Sequence, residues 1–202
     1  MPKVETATGP IDDAALGTTL AHEHILISAG GLKENFPFLF DYSRTLERIV
    51  HELKLARAGG IDTIVDLTTV DLGRDVELYA EASRQSGMNI IVTTGFWLNV
   101  PLVFRGREPG FFASLFIHEI ENGIADTGIK PGLIKISNDI EGVSPEAEAI
   151  IRGAARACRA TGVPISTHQS AQERVGARQL DILLDERVEP ERICIGHSAD
   201  TT

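Results

Sequence analysis

Histidines at the ends of apolar runs are the residues of this chain best suited to chemistry. His22 and His24 close the run LGTTLAHEH, His168 closes VPISTH and His197 closes RICIGH. Imidazole nitrogens are common zinc ligands. Two residues apart on a strand, His22 and His24 point the same way, so both can grip one ion. Glu23 then faces away, toward a helix layer, which suits a structural role better than a general base. An H-x-H pair alone is a weak metal signal, and a further histidine at the end of each of two later runs strengthens it. His51 and His118 fall inside helical patterns and read as surface or helix-packing residues.

Lys135 lies in GLIKIS between Leu133, Ile134 and Ile136. An inward ammonium in such a strand costs several kcal/mol unless compensated. One reading is a lysine paired with an acidic neighbour, or one that is deprotonated. The other is a lysine carbamylated by CO₂, whose anionic product can bridge two metals. Spacing alone leaves both open.

These side chains need elements that bring them together. Strand patterns fall at Leu16–His24, Ile61–Thr69, Asn89–Gly95, Gly132–Ser137, Val163–His168 and Arg192–His197. Helical patterns fall between them, at Ser43–Ala58, Arg74–Ser86, Gly110–Asp126, from Ser144-Pro145 to Thr161, and Ala171–Arg187. Short strands apolar on both faces, alternating with amphipathic helices, predict parallel pairing. The choices are an open doubly wound sheet or a (β/α)₈ TIM barrel. No glycine-rich phosphate loop follows the first strand, which disfavours the dinucleotide-binding open sheet and a cofactor-binding function. In a parallel barrel all C-terminal strand ends open on one face, so the four histidines share a mouth.

The formal net charge of −10 argues against nucleic acid and anionic membrane partners and suits a small uncharged substrate. No run is long enough to span a bilayer and no leader is seen at the N-terminus. Cys158 and Cys194 read as reduced core thiols, which fits a cytoplasmic protein.

With these residues in place, the sequence resembles the phosphotriesterase family, including its lactonases, within the amidohydrolase superfamily. The resemblance runs through Gly17–His24 (GTTLAHEH), Thr63–Thr69, Leu72–Asp75, Thr94–Trp97, Gly132–Ser137, Thr161–His168 and Ile193–Thr201. The ordered set is specific where no single motif is. It implies a (β/α)₈ barrel over one domain, residues 1–202, holding two divalent metals, typically zinc. His22 and His24 match the ligands of the more buried metal, and His168 and His197 those of the more exposed one. Lys135 matches the carbamylated lysine that bridges the metals. Asp200 matches an aspartate that moves a proton out of the site, so the catalytic assignments fall on Lys135 and Asp200. Trp97 and Leu72 match positions in the substrate pocket, although loop packing accounts for Trp97 equally well. Family members are commonly homodimers.

The chain departs from the resemblance in ending at the sixth strand, without the aspartate ligand the family takes from the eighth. A barrel truncated after strand six is therefore expected. The implied reaction is attack of metal-activated hydroxide on a phosphotriester (aryldialkylphosphate) or a lactone. The run Asp71–Asp75 and Trp97 lean toward phosphotriesters. The alternative is a catalytically inactive metal-binding fragment of such a barrel.

Overall fold

β-branched apolar runs become strands in this chain, and the amphipathic stretches between them become helices. The structure is a computed structural model and describes residues 2–98 and 100–200. Thr201, the last residue of the ICIGHSADT motif, lies outside the described residues. Two compact units are present: Met1–Thr93 with Asn122–Gly132, and Thr94–Glu121 with Leu133–Thr202.

The first unit opens with a small antiparallel pair, β1 (Lys3–Val4) and β2 (Ile11–Asp12), which the sequence patterns did not predict. Then follow β3 (Thr19–Glu23), α1 (Leu32–Asn35), α2 (Tyr42–Ala58), β4 (Thr63–Asp66), α3 (Val76–Ser86) and β5 (Asn89–Ile91). The sheet order is β3-β4-β5, and both pairings are parallel. Caps set the helix ends. The Asp41 carboxylate accepts from the Arg44 N–H to start α2, and Asp75 accepts from Leu78 N–H to start α3. Gly87, with φ of 73°, ends α3 in the left-handed conformation that glycine takes without a Cβ penalty. The core joins Ile49, Val50 and Leu53 of α2, Leu78 and Tyr79 of α3, and Ile64 and Ile90 of the sheet.

The second unit holds β6 (Thr93–Gly95) and α4 (Pro109–Asn122) apart from Thr93 and Asn122, then β7 (Leu133–Ser137), α5 (Pro145–Thr161), β8 (Ile165–His168), α6 (Val175–Asp185) and β9 (Ile193–Cys194). The sheet order is β6-β7-β8-β9, and the β7–β8 and β8–β9 pairings are parallel. Helix α5 follows the predicted pattern closely. Ser144 caps it by accepting from Ala147 N–H, Pro145 fills the first turn, and Gly162 at φ 79° stops it. Ile134, Ile136 and Ile165 pack under Ile150, Ile151 and Ala154 of α5 and Phe112 and Phe116 of α4.

The fold class is therefore α/β with parallel sheets, as the alternation of patterns implies. Most elements are a few residues shorter than the patterns predict, and three differences have a clear local form. The predicted strand Asn89–Gly95 is divided at Val92. Helix α4 stops at Asn122 because positive φ at Gly123, Ala125 and Asp126 turns the chain out of the helix. The last predicted strand, Arg192–His197, is reduced to Ile193–Cys194, and His197 lies beyond it at φ 55°.

Candidate metal centre

In the first unit, β3 pairs with β4 at Leu20↔Ile64 and then at Glu23↔Asp66. Three steps along β3 match two along β4, so β3 carries a bulge between these positions. Exposure nevertheless alternates from Ala21 to His24, with Ala21 and Glu23 exposed and His22 and His24 half-buried, and His24 follows the last strand residue. The two rings still stand edge to face with centroids 6.1 Å apart. Glu23 lies with Arg44, Arg48 and Glu52 of α2 along one cavity, which His24 also lines.

Below His24 is a polar group that the sequence patterns did not single out. The His24 Nδ1 and the Thr68 hydroxyl are 3.0 Å apart. Thr68 donates through its hydroxyl to Asp66 at 3.3 Å and through its backbone N–H at 3.0 Å. The Ile25 N–H donates to the same carboxyl at 2.6 Å. Asp66 and Thr68 are both wholly buried. Burial pushes the Asp66 carboxyl up to about 6, against the pull of these donors. The sequence signal is Asp66 between Val65 and Leu67 in the run Ile61–Thr69, a charge among apolar strand residues like Lys135. Leu72 is half-buried on the following loop, where its carbonyl accepts from Ser28 N–H.

In the second unit, Lys135, Ser166 and Cys194 are register partners across three strands. Ile134 and Ile136, on either side of Lys135, belong to the helix-facing core. Strand alternation thus sends Lys135 to the opposite face, where it is wholly buried. Desolvation brings its amine down to about 7, with Cys194 acting in the other direction. An amine so shifted has a large neutral fraction near neutral pH.

His168 ends β8 beside Ser137 and shares the Lys135 face by the two-residue alternation from Ser166. Its ring centroid lies 4.5 Å from that of His197 and 4.4 Å from that of Trp97. The Lys135 Nζ stands 5.9 Å from the Trp97 ring centroid. Burial, then repulsion from His197 and Lys135, holds the His168 imidazole well below its ordinary range, with Asp139 opposing. His197 is fixed from outside: its Nδ1 is 2.7 Å from an oxygen of the exposed Asp200. The second unit thus brings together Lys135, His168, His197, Trp97 and Asp200.

Gly95 permits this packing. It has φ of 125°, and a Cβ there would run into the Lys135 carbonyl oxygen. Two buried amides also support the loops: Gln179 donates to the His168 carbonyl and to Asn138, and Gln169 donates to the Gly196 carbonyl beside His197.

These donors fit divalent metals. The His168 Nδ1 is buried and has no hydrogen-bond partner among the described residues. Such a nitrogen is costly unless something else meets it. His24 and His197 each engage Nδ1 with a fixed oxygen, which makes Nε2 the nitrogen that can carry a ligating lone pair.

The fold and the site define an α/β chain with parallel sheets and candidate metal-ligating imidazoles at or just beyond its strand ends. Comparison with known proteins narrows it. Residues 2–202 match the phosphotriesterase family, and the chain belongs to that family. It is 40% identical to a phosphotriesterase homology protein of Mycobacterium tuberculosis, over all of this chain and 65% of that protein. It is 37% identical to an aryldialkylphosphatase of Saccharolobus solfataricus, over 95% of this chain and 62% of the relative. A phosphotriesterase homology protein of Escherichia coli is 32% identical, over 90% and 62% respectively. The chain thus spans about two thirds or slightly less of the length of these relatives. Among the described residues no helix is long and apolar enough to cross a membrane.

Proposed function

We propose that this protein is a metal-dependent hydrolase of small uncharged esters, with phosphotriesters of the aryldialkylphosphate type as the leading substrate class and lactones as the second. The fold we propose for it is a (β/α)₈ barrel. The observation that carries the reading is the convergence of Lys135, His168 and His197 in one unit, with His168 neutral and its Nδ1 buried without a partner. The similarity to an aryldialkylphosphatase supports phosphotriesters over lactones.

In this reading His22 and His24 would hold one divalent metal and His168 and His197 a second, with zinc as the expected ion. When bound, such a pair acidifies water and polarises the oxo group of an ester. The chain's own residues do the rest. The neutral Lys135 amine can add to the carbon of CO₂ and lose a proton, giving a carbamate anion that would serve as a metal ligand beside His168 and His197. Asp200, at hydrogen-bonding distance from the His197 Nδ1, keeps that ring oriented and takes up the proton released in hydrolysis. Trp97 packs on His168 and presents an apolar wall to the leaving group, and Leu72 serves as a second apolar pocket residue.

Metal analysis combined with assays on paraoxon and on a lactone tests the proposal. Metal-dependent turnover of paraoxon supports it. Metal without turnover of either ester would instead favour the inactive metal-binding reading. Neither metal nor turnover would overturn both.

A further inference from the structure

The buried carboxyl of Asp66 has no part in the proposed reaction, yet its donors are arranged around one ligand candidate. Ile25 N–H, which donates to it, belongs to the residue that follows His24. Thr68 donates its backbone N–H to one Asp66 oxygen and its hydroxyl to the other. Both oxygens of Asp66 therefore act as acceptors. A threonine hydroxyl has a single proton. If that proton goes to Asp66, the hydroxyl can meet the His24 Nδ1 only as an acceptor. The proton between Thr68 and His24 must then come from Nδ1. All of this takes place without solvent, because Asp66, Thr68 and the neighbouring Tyr79 are buried, and the Tyr79 hydroxyl is directed to the Leu26 carbonyl.

We propose that Asp66, acting through the Thr68 hydroxyl, is a positioning residue that holds His24 as its Nδ1–H tautomer, so that Nε2 presents the lone pair to a metal. The carboxyl also fixes the backbone on the C-terminal side of His24 through Ile25, where β3 has left its regular register. The reverse arrangement, with Thr68 donating to Nδ1, would put the proton on Nε2 and block ligation there. Partners that orient a ligating histidine typically contribute about 10–100-fold in metal affinity. The metal part of the inference rests on the hydrolase reading above, whereas the tautomer part does not.

The test uses the full chain labelled with ¹⁵N at histidine, metal-free, and long-range ¹H–¹⁵N correlation spectra that report which ring nitrogen of His24 carries the proton. Zinc affinity is measured in parallel by competition with a chromophoric chelator. The wild type is expected to show protonated Nδ1 at His24. Thr68→Val, which keeps the shape and removes the hydroxyl, should lose that preference and bind zinc about 10–100-fold more weakly. Thr68→Ser should restore both, and Asp66→Asn should behave like the valine variant. Protonated Nε2 at His24 in the wild type would overturn the proposal without need of any folded variant. So would a Thr68→Val chain with unchanged tautomer and unchanged affinity. If wild-type chain takes up no zinc, the hydrolase reading fails, and the tautomer result still decides the role of Asp66.

Discussion

Replacing Asp66 with asparagine should flatten a defined part of the pH dependence of stability. The carboxyl is wholly buried, and burial raises it from an ordinary 3.8 to about 6. The folded chain therefore holds this proton more tightly than the unfolded chain does. Stability from this group is full below about pH 4 and is lost as pH rises through 6. The gap is worth about 3 kcal/mol at 1.36 kcal/mol per pH unit. The amide of the Asp66→Asn variant cannot titrate and loses only an acceptor, which gives an offset independent of pH. Urea unfolding of metal-free wild-type and Asp66→Asn chains, followed by circular dichroism between pH 4 and pH 7.5, isolates the effect. The wild type should lose about 3 kcal/mol relative to the variant across that range. A constant difference between the two chains would refute the claim that the carboxyl is desolvated beneath His24.

Other substitutions address separate parts of the site. His168→Ala and His197→Ala should each reduce bound metal and abolish ester hydrolysis in a chain that otherwise folds, as read by elemental analysis and a paraoxon assay. Lys135→Met should stabilise the metal-free chain by about 1–4 kcal/mol in urea unfolding, because an apolar side chain replaces a buried amine, while metal uptake falls. Gly95→Ala should destabilise by about 3 kcal/mol or more in the same assay, since its Cβ meets the Lys135 carbonyl at a backbone angle hostile to alanine.

Much of the fold is legible in the sequence because local signals agree with one another. Ser144-Pro145 and Gly162 bracket α5, and Gly87 closes α3, as residue types alone require. Lys135 stands out because a charge among Leu133, Ile134 and Ile136 has no ordinary place in a buried strand. The bulge in β3 is not legible, since it is set by pairing with β4 and not by a glycine or proline in LAHEH. His197 reads as the end of a strand because RICIG is apolar, yet the chain turns at Ile195 and places the ring by a left-handed backbone and Asp200. Asp66 and Thr68 are hidden in a run whose β-branched residues signal only a strand, and their role emerges once β4 lies beside β3.

The central claim is that the imidazoles and Lys135 hold a pair of divalent metals. Elemental analysis of the purified chain, dialysed against zinc and bicarbonate and then freed of loose ions, addresses it most directly. About two equivalents of zinc per chain are expected, with a marked loss in Lys135→Met. Zinc at background level, or a full complement retained by that variant, would contradict it.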